Sequence, residues 1–380
     1  MFFLFTCLAF AVLASVGIYK YRLVYQNRVY KADKIYLTIT MGGLMLLTAL
    51  RGMYVGNDTY SYYSLFKYYI GQGNVIDISN ARLLWLNEME IGYRILNYLF
   101  GHISNNYQLY IAFIALLTYG VAIRFIWKYS TNITLSVILF FLLFFSPYSN
   151  VIRQILGLSF VLLAFDDLNK SNNVGFFIKV FLAFLFHKSA FIAFFLFPMA
   201  KVRARRLLMY VAIAIAAVIV VLGRIPVIVA LLGVESVHTG EASGISIMFR
   251  LIKNIAFLFF TLYLRRGQWN EEGISDQKTL NPTVSVNLIS WTPLICVLIS
   301  VIAFGFPIAA RFEYYFTILY IILVPQMIKM STRRTSNISF AMWILIIMLI
   351  VHVVGEIAYR PEWVTEYNYY FFWKDGGLFK

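Results

Sequence analysis

Apolar runs long enough to cross hydrocarbon recur along the chain, at residues 2–18, 35–51, 107–127, 133–148, 151–168, 207–223, 246–264, 286–304, 312–329 and 337–355. A helix needs roughly 17–25 such residues to span a bilayer core, where every backbone polar group must find its partner within the protein. A further run, 174–200, is longer and is split by His187-Lys188-Ser189, and it reads as two short helices meeting in a turn. The pattern predicts an all-α, polytopic transmembrane protein of about twelve crossings. A single integral membrane domain is expected over residues 1–380, with no internal repeat and no low-complexity tract. Composition excludes the alternative of a water-soluble domain, since 61% of the residues are hydrophobic and only 13% are charged.

The net charge of +15 would suit a nucleic-acid partner were it gathered on one soluble surface. It is instead spread over alternate loops. With the N-terminus outside, the inner loops take 19 of the 32 basic residues, from Lys20 and Arg22 through Arg205 and Arg206 to Arg333 and Arg334, but only six of the 17 acids. This is the positive-inside rule, and it accounts for nearly all of the charge without nucleic acid. Both termini are then expected outside the cytoplasm. The first run lacks a basic stretch ahead of it and reads as a crossing rather than a cleaved leader. Cys7 and Cys296 both fall in apolar spans, so neither a disulfide nor a metal site is expected.

On this topology the unusual polar residues gather on the outer side. The largest outer loop, 51–106, is rich in Tyr, Gly and Asn and carries Arg51, Asp58 and Tyr60. Such residues suit a surface that grips sugars, and equally an interfacial aromatic belt. Its second half enters a short amphipathic helix in which Glu90 and Arg94, at i and i+4, share a face; a solvated surface pair is the ordinary alternative. Arg153-Gln154 opens a crossing after the turn Ser146-Pro147-Tyr148-Ser149-Asn150, where a snorkelling Arg would also be unremarkable. Arg250, Lys253 and Asn254 stack on one helix face, and Arg311 stands at a helix start with Glu313 two residues on. His187, beside Lys188 and Ser189 at a break, has polar company that His238 and His352 lack; His102 sits at a turn. The tail, 356–380, falls outside and could cap a cavity.

Taken in order, Arg51-x4-Gly56-x-Asp58-x-Tyr60, Glu90-x-Gly92-Tyr93, Arg153-Gln154 and His187-x-Ser189 resemble the EpsG-like branch of the Wzy-type polysaccharide polymerases over residues 35–200. Beyond residue 200 the likeness is confined to hydrophobic character and an outward Arg, and Gly157 stands where a small residue such as Ala is expected. The resemblance implies a GT-C-type glycosyltransferase in the bacterial inner membrane. It would join repeat units carried on undecaprenyl diphosphate, as both donor and acceptor, into O-antigen, capsule or exopolysaccharide. Membrane lipids and a chain-length regulator protein are the other implied partners, and no metal or cofactor is expected.

The chemistry of the residues is compatible with that implication. A lipid diphosphate leaving group needs cations, and without a metal these are Arg and Lys, so Arg153, Arg250, Lys253 and Arg311 are the candidate cradle. Arg51, Arg94, Lys188 and Tyr60 are further candidates for diphosphate or sugar. The incoming hydroxyl needs a base, and His187, Asp58 and Glu90 are the candidates, with His187 ranked first. Three other readings stay open: a lipid-linked oligosaccharide flippase or transporter, an O-antigen ligase, and a membrane O-acyltransferase. A transporter would want charge at the membrane centre and repeated halves, whereas the charges here lie towards one end.

Overall fold

A computed structural model describes residues 2–24, 29–70, 89–203, 214, 217–218, 241–265, 282–359 and 364–375. Every regular element among them is helical, apart from one isolated antiparallel bridge between Arg51 and Phe371. The helices are α1 (Phe2–Val24), α2 (Val29–Ala49), α3 (Thr59–Ile70), α4 (Ile91–Gly101), α5 (Tyr107–Tyr129), α6 (Ile133–Asn150), α7 (Ile152–Asn169), α8 (Asn173–Phe186) and α9 (Leu196–Lys201). There follow α10 (Glu241–Arg265), α11 (Pro282–Gly305), α12 (Tyr314–Thr317), α13 (Tyr320–Met330) and α14 (Thr335–Tyr359).

Every expected apolar run within the described residues is helical, whereas the run 207–223 and His238 lie largely or wholly outside them. Among the described residues five helices are long and apolar enough to cross a membrane: α5, α6, α10, α11 and α14. A sixth is gained if Pro307–Thr317 and Tyr320–Met330, bent by 50°, form one broken span. The chain is a membrane protein on this evidence, with fewer helices meeting that test than the twelve crossings read from sequence.

The break in the run 174–200 falls where the polar residues stand. Asn172 caps α8 by accepting the Gly175 amide, and α8 ends at Phe186 with His187 in extended conformation. A 3-10 helix, Lys188–Phe195, carries the chain on to α9. The loop 51–106 is also largely helical where described, comprising α3 and α4 with residues 71–88 outside the description.

By its packing the chain divides into two compact units. The first holds Met1–Lys128, Ile133–Phe191 and Tyr359–Lys380. In it α7 lies along α8, α4 packs on α3 and on α8, and α1, α2 and α6 pack together. An aromatic core of Tyr62, Phe66, Tyr93, Phe100, Tyr107 and Tyr110 joins α3, α4 and α5. The second holds Tyr129–Asn132 and Ile192–Ala358. There α10 packs against α11, and Phe257 stacks on Tyr320 with centroids 3.7 Å apart.

Candidate active site

In the first unit the end of α8, the start of α7 and the start of α4 converge on one carboxylate. Glu90 precedes the first turn of α4 in extended conformation. Gly92 explains how closely that turn approaches α8: a Cβ there would lie 2.7 Å from the Leu185 carbonyl oxygen, so only glycine lets the two backbones meet. The approach delivers Glu90 to His187. One carboxylate oxygen, Oε1, accepts from His187 Nδ1 at 2.8 Å and from the Lys188 amide at 3.1 Å. The other, Oε2, accepts from Arg153 Nη1 at 2.5 Å. Tyr62, with Tyr93 edge-on to it at 5.8 Å, closes the far side of Arg153.

The Glu90 side chain is only 5% exposed, and burial by itself would push its carboxyl pKa up. The hydrogen bond from His187 and the charge of Arg153 outweigh that burial and bring it down to about 2. At neutral pH the carboxylate is therefore ionised and purely an acceptor, which obliges His187 to carry its proton on Nδ1. In the neutral imidazole the lone pair then sits on Nε2. This is the arrangement of a carboxylate that orients a base, with Arg153 anchoring the carboxylate in turn. Glu90 itself, held by three donors at so low a pKa, is a poor proton acceptor.

The sequence candidates of this unit thus take different places. Glu90, Arg153 and His187 meet. Arg94 follows Glu90 by four residues, but the carboxylate turns to Arg153 and His187 instead, and Arg94 Nε and Nη1 find no hydrogen-bond partner among the described residues. Its charge acts on the Tyr69 phenol, which burial nonetheless pushes up to about 12. Lys188 is exposed beside His187. Arg51 is buried, binding the Thr48 carbonyl at 2.7 Å and Thr59 Oγ1 at 3.3 Å. Asp58 precedes α3, where the helix dipole favours a carboxylate, and Tyr60 is exposed on the first turn.

The Arg51–Asp58 loop is fastened by the C-terminal segment. Gly52 N donates to the Tyr370 carbonyl, Met53 N to Asp375 Oδ2, Tyr54 N to the Tyr370 hydroxyl and Gly56 N to Thr365 Oγ1. Gly56 has φ +87°, and Asn57 N donates to Asn150 Oδ1 at 2.6 Å while Asn150 Nδ2 donates to Glu366. The tail expected as a cap is, over residues 364–375, a strap on this loop; Arg360 and Trp363 lie outside the described residues.

The second unit carries its own charged cluster. Lys253, 6% exposed, donates to Glu313 Oε1 at 2.5 Å, so its charge is already balanced. Arg250 lies over the Tyr314 ring at 5.5 Å, and Asn254 donates to Ser300 and to the Cys296 carbonyl. Arg311 is exposed on the 3-10 helix Pro307–Phe312. Glu356 accepts from Ser246 at 3.4 Å and stands 4.0 Å from His352 Nε2. Sequence reasoning set Glu313 beside Arg311 and missed its pairing with Lys253, and it overlooked Tyr62 and Glu366, the first of them hidden in a tyrosine-rich loop. Among the described residues no group of three or more His, Cys, Asp or Glu could hold a metal ion, and both cysteines are free.

A family model described as the EpsG family matches residues 34–371, far past the segment 35–200 on which the sequence resemblance rests. No curated protein and no solved structure matches the chain.

Proposed function

Because the chain belongs to the EpsG family, a family of Wzy-like polymerases, we propose that it joins lipid-diphosphate-linked saccharide repeat units by glycosyl transfer, at the outer face of the bacterial inner membrane. The observation that carries this reading is the Glu90 carboxylate held between Arg153 and His187.

In the reaction a hydroxyl of the acceptor saccharide attacks the anomeric carbon of the donor. His187 Nε2 takes the hydroxyl proton as the new glycosidic C–O bond forms. The bond between the anomeric carbon and the diphosphate oxygen breaks, and undecaprenyl diphosphate leaves with the electron pair. Glu90 keeps the imidazole in the reactive tautomer and stabilises the imidazolium, while Arg153 holds Glu90. The developing charge on the diphosphate falls to cations beside this group that no described carboxylate neutralises, Arg94 and Lys188. Asp58, Tyr60 and Arg51 serve the saccharide loop, Tyr60 by direct contact and Arg51 by fastening the loop from beneath. In the second unit Lys253 acts with Glu313 as a structural pair, and Arg250 lies over the Tyr314 ring.

Purified protein in proteoliposomes, given lipid-linked repeat units alone, is expected to form a ladder of products. His187→Ala and Arg153→Ala at unchanged protein level are expected to abolish it. An unchanged substrate with the native protein would point instead to transport, ligation or acylation.

A further inference from the structure

The Arg51–Asp58 loop presents two large rings to solvent although its neighbouring residues are buried. Met53 is 2% and Val55 1% exposed, whereas Tyr54 between them is 58% exposed and Tyr60 49%. The two rings lie nearly parallel, 14° apart in plane with centroids 5.8 Å apart. Neither ring is on a helix that meets the spanning test: Tyr54 is in the loop and Tyr60 in the first turn of the twelve-residue α3. The loop beneath is pinned at the amides of Gly52, Met53, Tyr54, Gly56 and Asn57, which holds the backbone that carries Tyr54. Polar groups stand on neighbouring residues: Asn57 is exposed, Asp58 follows it, and the Tyr370 hydroxyl accepts from the Tyr54 amide.

From this geometry we infer that Tyr54 and Tyr60 form a stacking platform for pyranose rings, a saccharide subsite remote from the reacting bond. The inference rests on the polymerase reading and adds a second place where the substrate is held. Two exposed aromatic faces with amide, carboxylate and hydroxyl groups on adjoining residues match a sugar, which offers C–H on its faces and hydroxyls at its edges. Their place on a strapped loop and a twelve-residue helix, neither of which meets the spanning test, favours that occupant over lipid. The remoteness follows from α3. Tyr62, which adjoins Arg153, and Tyr60 are two residues apart, and on a helix that turns the side chains roughly 200° from one another. The platform therefore lies across α3 from the His187 cluster and would engage sugars several residues along the chain from the bond being made. Binding energy gained there serves retention of a growing polymer rather than the proton transfer itself.

The test uses the full-length protein in nanodiscs and, as probe, the free oligosaccharide released by mild acid from the host's own lipid-linked repeat units. Saturation-transfer NMR and titration are expected to show binding that falls about 2- to 10-fold in Tyr54→Ala and in Tyr60→Ala, the range for one aromatic stacking contact. Tyr54→Phe and Tyr60→Phe are expected to retain it, and the polymer made by the Ala variants is expected to be shorter. Native-strength binding in both Ala variants, or no binding by the native protein, overturns the platform. So does a pair of Ala variants whose sole defect is reduced membrane insertion, which would assign the rings to the lipid interface. If the native protein binds the oligosaccharide but forms no ladder from lipid-linked units, the platform stands and the polymerase reading fails.

Discussion

Replacing Glu90 by Gln separates its two tasks, holding charge and setting a tautomer. The amide keeps the size of the side chain and one acceptor oxygen. If that oxygen faces Arg153, the NH2 group faces His187 Nδ1 and can only donate, so the imidazole proton moves to Nε2 and the base is lost. If the amide is turned the other way, its NH2 confronts the Arg153 guanidinium. Either way the turnover is expected to fall about 10²- to 10⁴-fold, the range for a positioned general base, with KM changed much less. Stability should fall as well. Removing one partner of a buried ion pair costs about 3–5 kcal/mol, and the 19% exposure of the Arg153 side chain puts the cost at the lower end. Proton linkage gives a similar figure: a carboxyl held at about 2 instead of 4.5 contributes about 3 kcal/mol at neutral pH. The sign follows from the depressed value. The contribution is full above pH 4.5 and is lost as pH falls towards 2, and in Glu90→Gln this acid-labile component is absent. Steady-state kinetics on lipid-linked repeat units and thermal melts from pH 7 to pH 3 provide the readouts. A variant with near-native kcat would refute the His187–Glu90 base, whatever its melting curve showed.

Gly92→Ala should force α4 from the Leu185 carbonyl and separate Glu90 from His187, so activity is lost while a membrane-inserted, folded protein remains by circular dichroism. Lys253→Met and Glu313→Gln should each destabilise the protein by about 3–5 kcal/mol in denaturant titrations, and the double variant by clearly less than their sum, because it leaves no unpaired buried charge. Gly56→Ala combines a φ of +87° with a Cβ 2.7 Å from the Ser149 carbonyl, and a loss of more than about 1 kcal/mol is expected in the same titrations. Arg94→Ala and Lys188→Ala should lower kcat and raise KM for the lipid-linked donor without moving the acid or alkaline limb of the kcat profile, since each side chain meets the developing diphosphate charge and neither holds the imidazole.

The helices were legible because membrane-length apolar runs leave the backbone little alternative, and the break at His187 was legible because Lys188 and Ser189 follow it. What is made across long stretches of chain was not. Glu90 and Arg94 share a helix register, so sequence arithmetic pairs them, yet the carboxylate goes to residues 63 and 97 positions away. The reason is Gly92, whose missing side chain admits α8, and a glycine in a short motif does not say which backbone it admits. Glu313 is likewise adjacent to Arg311 in sequence but pairs with Lys253, 60 residues back. The strap made by residues 364–375 is held by loop amides that donate to the Asp375, Tyr370 and Thr365 side chains and to the Tyr370 carbonyl, and nothing in those ordinary polar residues names a partner about 300 positions back.

α7 shows how the charged residues of the first unit are kept apart. Arg153 stands in its first turn and Asp166 and Asp167 in its last, each the sign that the helix dipole disfavours by about 0.3–1 kcal/mol. They are held by partners from other elements: Glu90 for Arg153, Arg124 and Lys128 for Asp166, and Lys179 for Asp167. Thirteen residues of helix separate Arg153 from Asp166, about 20 Å at 1.5 Å per residue, and the intervening residues from Ile155 to Phe165 are apolar except for Ser159. The helix puts the Arg124–Asp166 cluster and the His187 cluster at opposite ends of one element. A like-signed swap, with acid at the first turn and base at the last, would satisfy the dipole better and would dismantle both ion-pair clusters, so the sign pattern of α7 is set by what its ends must hold rather than by helix stability.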